Sequence, residues 1–185
     1  MTDTAFGPTA LATPANYVTI ARLLISPVLL VAIMDSGASW WLLAGWTALC
    51  LTDGIDGYLA RRHGTTRSGA FLDPLADKVL VLGALAALVA IDRFWIVPVL
   101  IIAAREVAIS MYRSYWARRG LSIPARSSAK LKTVTQQLAV AFALVPAAAN
   151  PEWVAEGLLW AAVVLTVATG LHYLYDGSRA GERTV

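Results

Sequence analysis

Charge is scarce in this chain. Asp, Glu, Lys and Arg make up 15% of its 185 residues and 58% are hydrophobic, with a mean hydropathy of +0.63. A soluble domain carries about 25% charged residues. That shortfall excludes a single soluble core as the home of so much apolar sequence, which is laid out in long blocks. Cysteine is nearly absent. Cys50 stands alone inside an apolar run, which excludes an intramolecular disulfide and leaves the thiol a packing role. There is no internal repeat and no low-complexity tract. The opening stretch MTDTAFGPTALATPANY has no basic n-region and no apolar h-region, so it does not read as a signal peptide. Residues 1–15 read as a flexible N-terminus.

A helix that crosses a bilayer needs about 20 apolar residues. Six blocks approach that length: about Tyr17–Met34, Ser39–Arg61, Gly69–Ile91, Phe94–Ala117, Ser127–Ala149 and Trp153–Tyr175. The expected fold is all-α, a single polytopic membrane domain over residues 1–185 with six transmembrane helices. One side of that arrangement lacks positive charge. Arg93 alone falls there, beside Asp35, Asp92, Glu152 and Glu156, while the other 14 of the 15 Lys and Arg fall toward the side that holds both termini. The positive-inside rule then expects cytoplasmic termini in a cell membrane. Trp40, Trp41, Trp95 and Trp153 lie near the opposite ends, as an interfacial aromatic belt would. A basic cytoplasmic face suits membrane lipids with anionic headgroups and phosphorylated substrates; nucleic acid is not an expected partner.

Carboxylates are the residues least at home in such blocks. Yet Asp53, Asp56, Asp73 and Asp77 all occur in LTDGIDGYLARRHGTTRSGAFLDPLADK, residues 51–78. A carboxylate at membrane depth costs several kcal/mol unless it is paired, hydrated or bound to a cation. On a helix, Asp53, Asp56, Gly57, Ala60 and Arg61 share one face, and Asp73 and Asp77 are one turn apart on the next helix. The short link makes the two helices antiparallel neighbours, so the two pairs can converge. All-oxygen ligands favour hard cations, Mg2+ or Mn2+, and one or two such ions are the economical way to balance four carboxylates. Gly57 and Ala60 leave room on that face, and Arg61 can grip a phosphate in bidentate fashion. Two metal ions and an arginine form the clamp that phosphoryl transfer requires. Either pair alone has an ordinary explanation: Asp53 and Asp56 as helix-end charges, or Asp73 before Pro74 as a helix N-cap. All four together, with Gly, Ala and Arg on one face, weigh against it.

The ordered set Asp53-x2-Asp56-Gly57-x2-Ala60-Arg61 … Gly69-x3-Asp73-x3-Asp77 resembles the signature of the CDP-alcohol phosphotransferase family. The resemblance implies six membrane helices and an enzyme that displaces CMP from a CDP-linked lipid or alcohol with an acceptor hydroxyl. It implies that Asp53, Asp56 and Asp73 are metal ligands and that Asp77 is a ligand or the catalytic base. It also implies that Gly57, Ala60 and Arg61 contact the CDP moiety. Seven residues separate Arg61 from Gly69, a tighter link than the eight or nine of the family pattern. The stretches AREVAIS (104–110) and AKLKTVTQ (129–136) resemble those members whose acceptor is glycerol 3-phosphate, with Ala129 where a glycine is expected. CDP-diacylglycerol and glycerol 3-phosphate are thus the implied substrates, and a homodimer is the assembly the family implies.

An acceptor that carries a phosphate needs its own cations beside the metals. Arg105, Arg113, Arg126, Lys130 and Lys132 are the candidates; the bland alternative is that they only obey the positive-inside rule. Arg105, in an apolar run and followed by Glu106, calls most for a reason. Glu106 could simply hold it in place. Arg22, with Asn16 and Thr19, could orient the lipid diphosphate or snorkel to the interface. Two other readings of the chain stay open: the same chemistry with inositol phosphate or another alcohol as acceptor, and a divalent-cation transporter with the aspartates as its ion path.

Overall fold

The computed structural model describes residues 13–63, 67–118, 128–146 and 152–182, which form six α-helices and, among them, no strand. These are α1 (Pro14–Ser36), α2 (Trp40–His63), α3 (Arg67–Ala90), α4 (Ile96–Arg118), α5 (Ser128–Leu144) and α6 (Glu152–Glu182). The expected all-α plan is present, and local chemistry moves several of its boundaries. The first helix starts before the expected Tyr17. Thr13 is extended and its hydroxyl accepts the Asn16 N–H at 3.1 Å, with Pro14 supplying a preset first turn. That helix stops at Gly37, whose φ of 66° suits a residue without Cβ and whose N–H returns to the Ile33 carbonyl at 2.9 Å. The fifth helix ends at Leu144 rather than near Ala149, because Val145 precedes Pro146 and is steered out of the helical region. The sixth runs on to Glu182, past the expected Tyr175. Polar residues end an apolar block without breaking the backbone ladder, and no proline interrupts this one.

The link between α3 and α4 is short. Asp92 adopts φ 57°, a left-handed conformation that aspartate tolerates better than most residues. The N–H groups of Arg93 and Phe94 both turn back to the Leu88 carbonyl, at 2.9 and 3.2 Å.

α3 is the central helix. It packs on α1, α4 and α5, while α1 also packs on α2, and α6 on both α4 and α5. Ala76, Leu80, Ala84, Leu85 and Leu88 of α3 are all fully buried. At Gly83 a Cβ would overlap the end of Leu30, so α1 and α3 approach more closely than a larger residue would permit. Trp46, also fully buried, ties α2 to α5 by donating its indole N–H to the Gln137 carbonyl at 3.0 Å.

The outer faces of the helices are apolar. Leu24, Trp41, Leu100, Leu131 and Val164 are each more than half exposed, an arrangement that water does not favour. Asn16–Ser36 and Trp153–His172 are by themselves long and apolar enough to cross a bilayer. The other helices carry charge clusters within their length: aspartates on α2 and α3, arginine on α4 and lysine on α5.

Candidate active site

The N-terminal half of α1 presents Asn16, Thr19, Arg22 and Ser26 along one face, and all four are 2% exposed or less. Such a polar stripe at a helix interface requires partners on the neighbouring helices. Two of those partners are the sequence-predicted aspartates. Thr19 donates its hydroxyl to Asp73 Oδ1 at 2.8 Å, and the Arg22 guanidinium forms an ion pair with Asp53. Arg22 therefore does not snorkel. Ser26 donates to the Arg22 carbonyl at 2.6 Å, one turn back and just before Pro27, which has no N–H of its own to offer the ladder.

Asp73 and Pro74 lie inside α3, nearly two turns past its start at Arg67. The N-cap explanation of Asp73 is thereby overturned, and its carboxylate is left for Thr19 and whatever else approaches. One turn further along, Asp77 is half-buried. Its carboxylate lies within electrostatic reach of Asp53, Arg22, Glu106 and Lys132. These charges fall into two groups, Asp53 paired with Arg22 and Glu106 paired with Lys132.

The second group is built by α4, α5 and α6. Glu106 Oε1 accepts from Arg105 Nη1 at 3.1 Å and also from the Lys132 ammonium. The other end of the guanidinium, Nη2, donates to the Thr169 hydroxyl of α6 at 3.1 Å. Ser110, one turn past Glu106, accepts from the Lys78 ammonium of α3 and donates to the Glu106 carbonyl at 2.6 Å. Below this cluster, Gln136 of α5 donates to Thr166 of α6 at 3.1 Å, both fully buried. Two cations around one carboxylate leave a net positive charge. The side chains are only 14%, 14% and 9% exposed for Arg105, Glu106 and Lys132. Positive charge held this far from water favours an anion beside it.

The structure thus gathers Asp53, Asp73, Asp77, Arg105 and Lys132 at one end of the bundle. The side chains of Asp56, Gly57, Ala60, Arg61, Arg113 and Lys130, and the whole of Arg126, lie outside the described residues. Lys78, Ser110, Thr169 and Gly170 were missed in reading the sequence. For α6 the available signal was two threonines and a glycine, Thr166, Thr169 and Gly170, on one face of an otherwise apolar stretch.

Among the described residues, no three acidic, histidine or cysteine side chains form a metal-binding group. The donor set nonetheless suits a hard cation: Asp53 of α2 and Asp73 of α3 both meet the polar face of α1, and Asp53 already takes a cationic partner.

Residues 12–168 match the CDP-alcohol phosphatidyltransferase family. This chain belongs to that family. Its members are membrane-embedded enzymes and generally depend on divalent cations. Membership removes the transporter reading. The chain is 38% identical over 178 residues to a probable phosphatidylglycerophosphate synthase of Mycobacterium tuberculosis, covering 91% of this chain and 83% of that one. It is 34% identical over 170 residues to a CDP-diacylglycerol–glycerol-3-phosphate 3-phosphatidyltransferase of Rickettsia felis, covering 85% and 91%. It is 42% identical over 129 residues to the enzyme of that name from Haemophilus influenzae, covering 67% and 70%.

Proposed function

We propose that this chain transfers the phosphatidyl group of CDP-diacylglycerol to glycerol 3-phosphate, giving phosphatidylglycerol phosphate and CMP. The observation that carries the reading is the buried Arg105–Glu106–Lys132 cluster, whose Glu106 and Lys132 lie within electrostatic reach of Asp77, as Asp53 does. A phosphorylated acceptor needs that combination: cations for its phosphate, and a carboxylate beside its hydroxyl.

Asp53, Asp56 and Asp73 would hold two divalent cations, Mg2+ or Mn2+, with Asp77 as a further ligand or as the base. Bound there, the cations would neutralise diphosphate charge and help orient the leaving group. Gly57, Ala60 and Arg61 serve the CDP moiety. Arg105 and Lys132, with Arg113, Arg126 and Lys130 near by in sequence, hold the acceptor phosphate. As the base, Asp77 would take the proton of the attacking hydroxyl. The new bond joins that oxygen to the phosphorus bearing the diacylglycerol, and the bond from that phosphorus to CMP breaks.

The six helices span the membrane with both termini and the site at the cytoplasmic face. The exposed apolar outer surfaces and the basic side of the bundle support that orientation. The lipid enters sideways from the bilayer and the acceptor arrives from the cytoplasm.

Purified protein in detergent, given CDP-diacylglycerol and Mg2+ or Mn2+, should release CMP with glycerol 3-phosphate and not with inositol phosphate, inositol, serine or glycerol. A preference for another alcohol would overturn the acceptor assignment. Arg105→Ala provides a second test. Losing a charge-assisted contact to phosphate costs about 1.5–3 kcal/mol. The apparent KM for glycerol 3-phosphate should therefore rise roughly ten- to a hundredfold, with little change in that for CDP-diacylglycerol. A change confined to the lipid substrate would move Arg105 into the CDP site.

A further inference from the structure

α6 lies far in sequence from every charged group of the site, and reads as a span that only supports the bundle. Its contact with Arg105 says otherwise. Thr169 Oγ1 accepts from Arg105 Nη2 at 3.1 Å. The same hydroxyl donates to the Leu165 carbonyl at 2.7 Å, which fixes the direction of its lone pairs. Next to it, Gly170 leaves the space through which the arginine stem runs. A Cβ on Gly170 would stand 3.0 Å from Arg105 Nε, 3.3 Å from Cγ and 3.8 Å from Cδ. These are atoms in the middle of the side chain, not its free end. The far end is held as well, by Glu106 through Nη1 at 3.1 Å. A side chain whose guanidinium is held by two partners cannot swing away cheaply from a new methyl group.

Glycine inside a helix costs about 1 kcal/mol relative to alanine. Gly170 is buried at a helix interface, where alanine would otherwise be the better residue. The close passage of Arg105 supplies the reason for its presence. We propose that Thr169 and Gly170 form a seat on α6 that aims the Arg105 guanidinium at the acceptor phosphate, which makes them positioning residues for the acceptor substrate. Both lie just beyond the residues matched by the family, 12–168. The proposal rests on the acceptor role of Arg105 argued above.

The test is a set of single and double substitutions in the full-length protein, with KM for glycerol 3-phosphate, KM for CDP-diacylglycerol and kcat measured separately. Gly170→Ala should raise KM for glycerol 3-phosphate about tenfold, since a charge-assisted contact depends strongly on alignment. KM for the lipid should stay within about twofold and kcat should change little. In an Arg105→Ala background, Gly170→Ala should add nothing, because the group it displaces is gone. Thr169→Val should act in the same direction, and Thr169→Ser, which keeps the acceptor oxygen, should restore the parent value. Thermal unfolding in detergent separates these effects from loss of fold. If Gly170→Ala does not fold, the contrast between Thr169→Val and Thr169→Ser decides the matter alone. If Arg105→Ala raises KM for glycerol 3-phosphate but the α6 substitutions do not, the seat is overturned and the acceptor site stands. Effects of Gly170→Ala that persist without Arg105 overturn the seat likewise. If Arg105→Ala leaves that KM unchanged, the acceptor role falls and the seat falls with it.

Discussion

Asp73→Asn is expected to cut turnover by about a hundredfold or more while leaving the fold intact. The charge is what matters. A carboxylate that holds a divalent cation contributes several kcal/mol of charge stabilisation, and about 1.4 kcal/mol is tenfold in rate. Asp73 is the cleanest of the four positions for this test. Its recorded partner is the Thr19 hydroxyl, which donates to Oδ1 at 2.8 Å. An asparagine carbonyl oxygen accepts the same hydrogen bond, so α1 and α3 stay joined. Asp53→Asn is less clean, because it also removes the charge of a carboxylate paired with a fully buried arginine, and weakening a buried ion pair is destabilising. The measurements are CMP release at saturating Mg2+, Mn2+ binding followed by electron paramagnetic resonance, and thermal unfolding. Normal turnover and Mn2+ affinity in Asp73→Asn would sink the assignment of Asp73 as a ligand. Normal activity of Asp56→Asn would sink the two-metal arrangement.

The second large effect is expected at Asp77. A positioned general base contributes roughly 10²–10⁴-fold, so Asp77→Asn should lower kcat by that range. Its carboxylate is within electrostatic reach of Asp53 and Arg22 and of Glu106 and Lys132. The two roles left open for it give different results. As the base, Asp77→Asn lowers kcat, removes the acid limb of the kcat–pH profile and leaves Mn2+ binding near that of the parent. As a ligand, it abolishes Mn2+ binding as completely as Asp53→Asn does. The second pattern would overturn the assignment as base.

The aspartates were legible because membrane sequence makes them conspicuous. Four carboxylates in an apolar stretch, spaced to share helix faces, have few physical explanations, and the signature residues narrow them further. The helix number was legible for a similar reason, since each of the six apolar blocks carries one helix among the described residues. Arg105 stood out as an arginine within an apolar run. What surrounds it was not legible. Thr169 is 64 residues away, and nothing in local periodicity says which helix will lie against α4.

The amino-acid sequence by itself determined the helical class, the acidic signature and the uneven spread of positive charge along the chain. These follow from hydropathy, spacing and charge, which are read along one dimension. Tertiary structure decided the partners. It gave Asp53 to Arg22 and Asp73 to Thr19, joined Arg105 and Lys132 through Glu106, and brought α6 against the site. It also removed the N-cap role of Asp73 by extending α3 back to Arg67. The physical reason is that a helix specifies which residues share a face, while the packing of neighbouring helices specifies what that face meets.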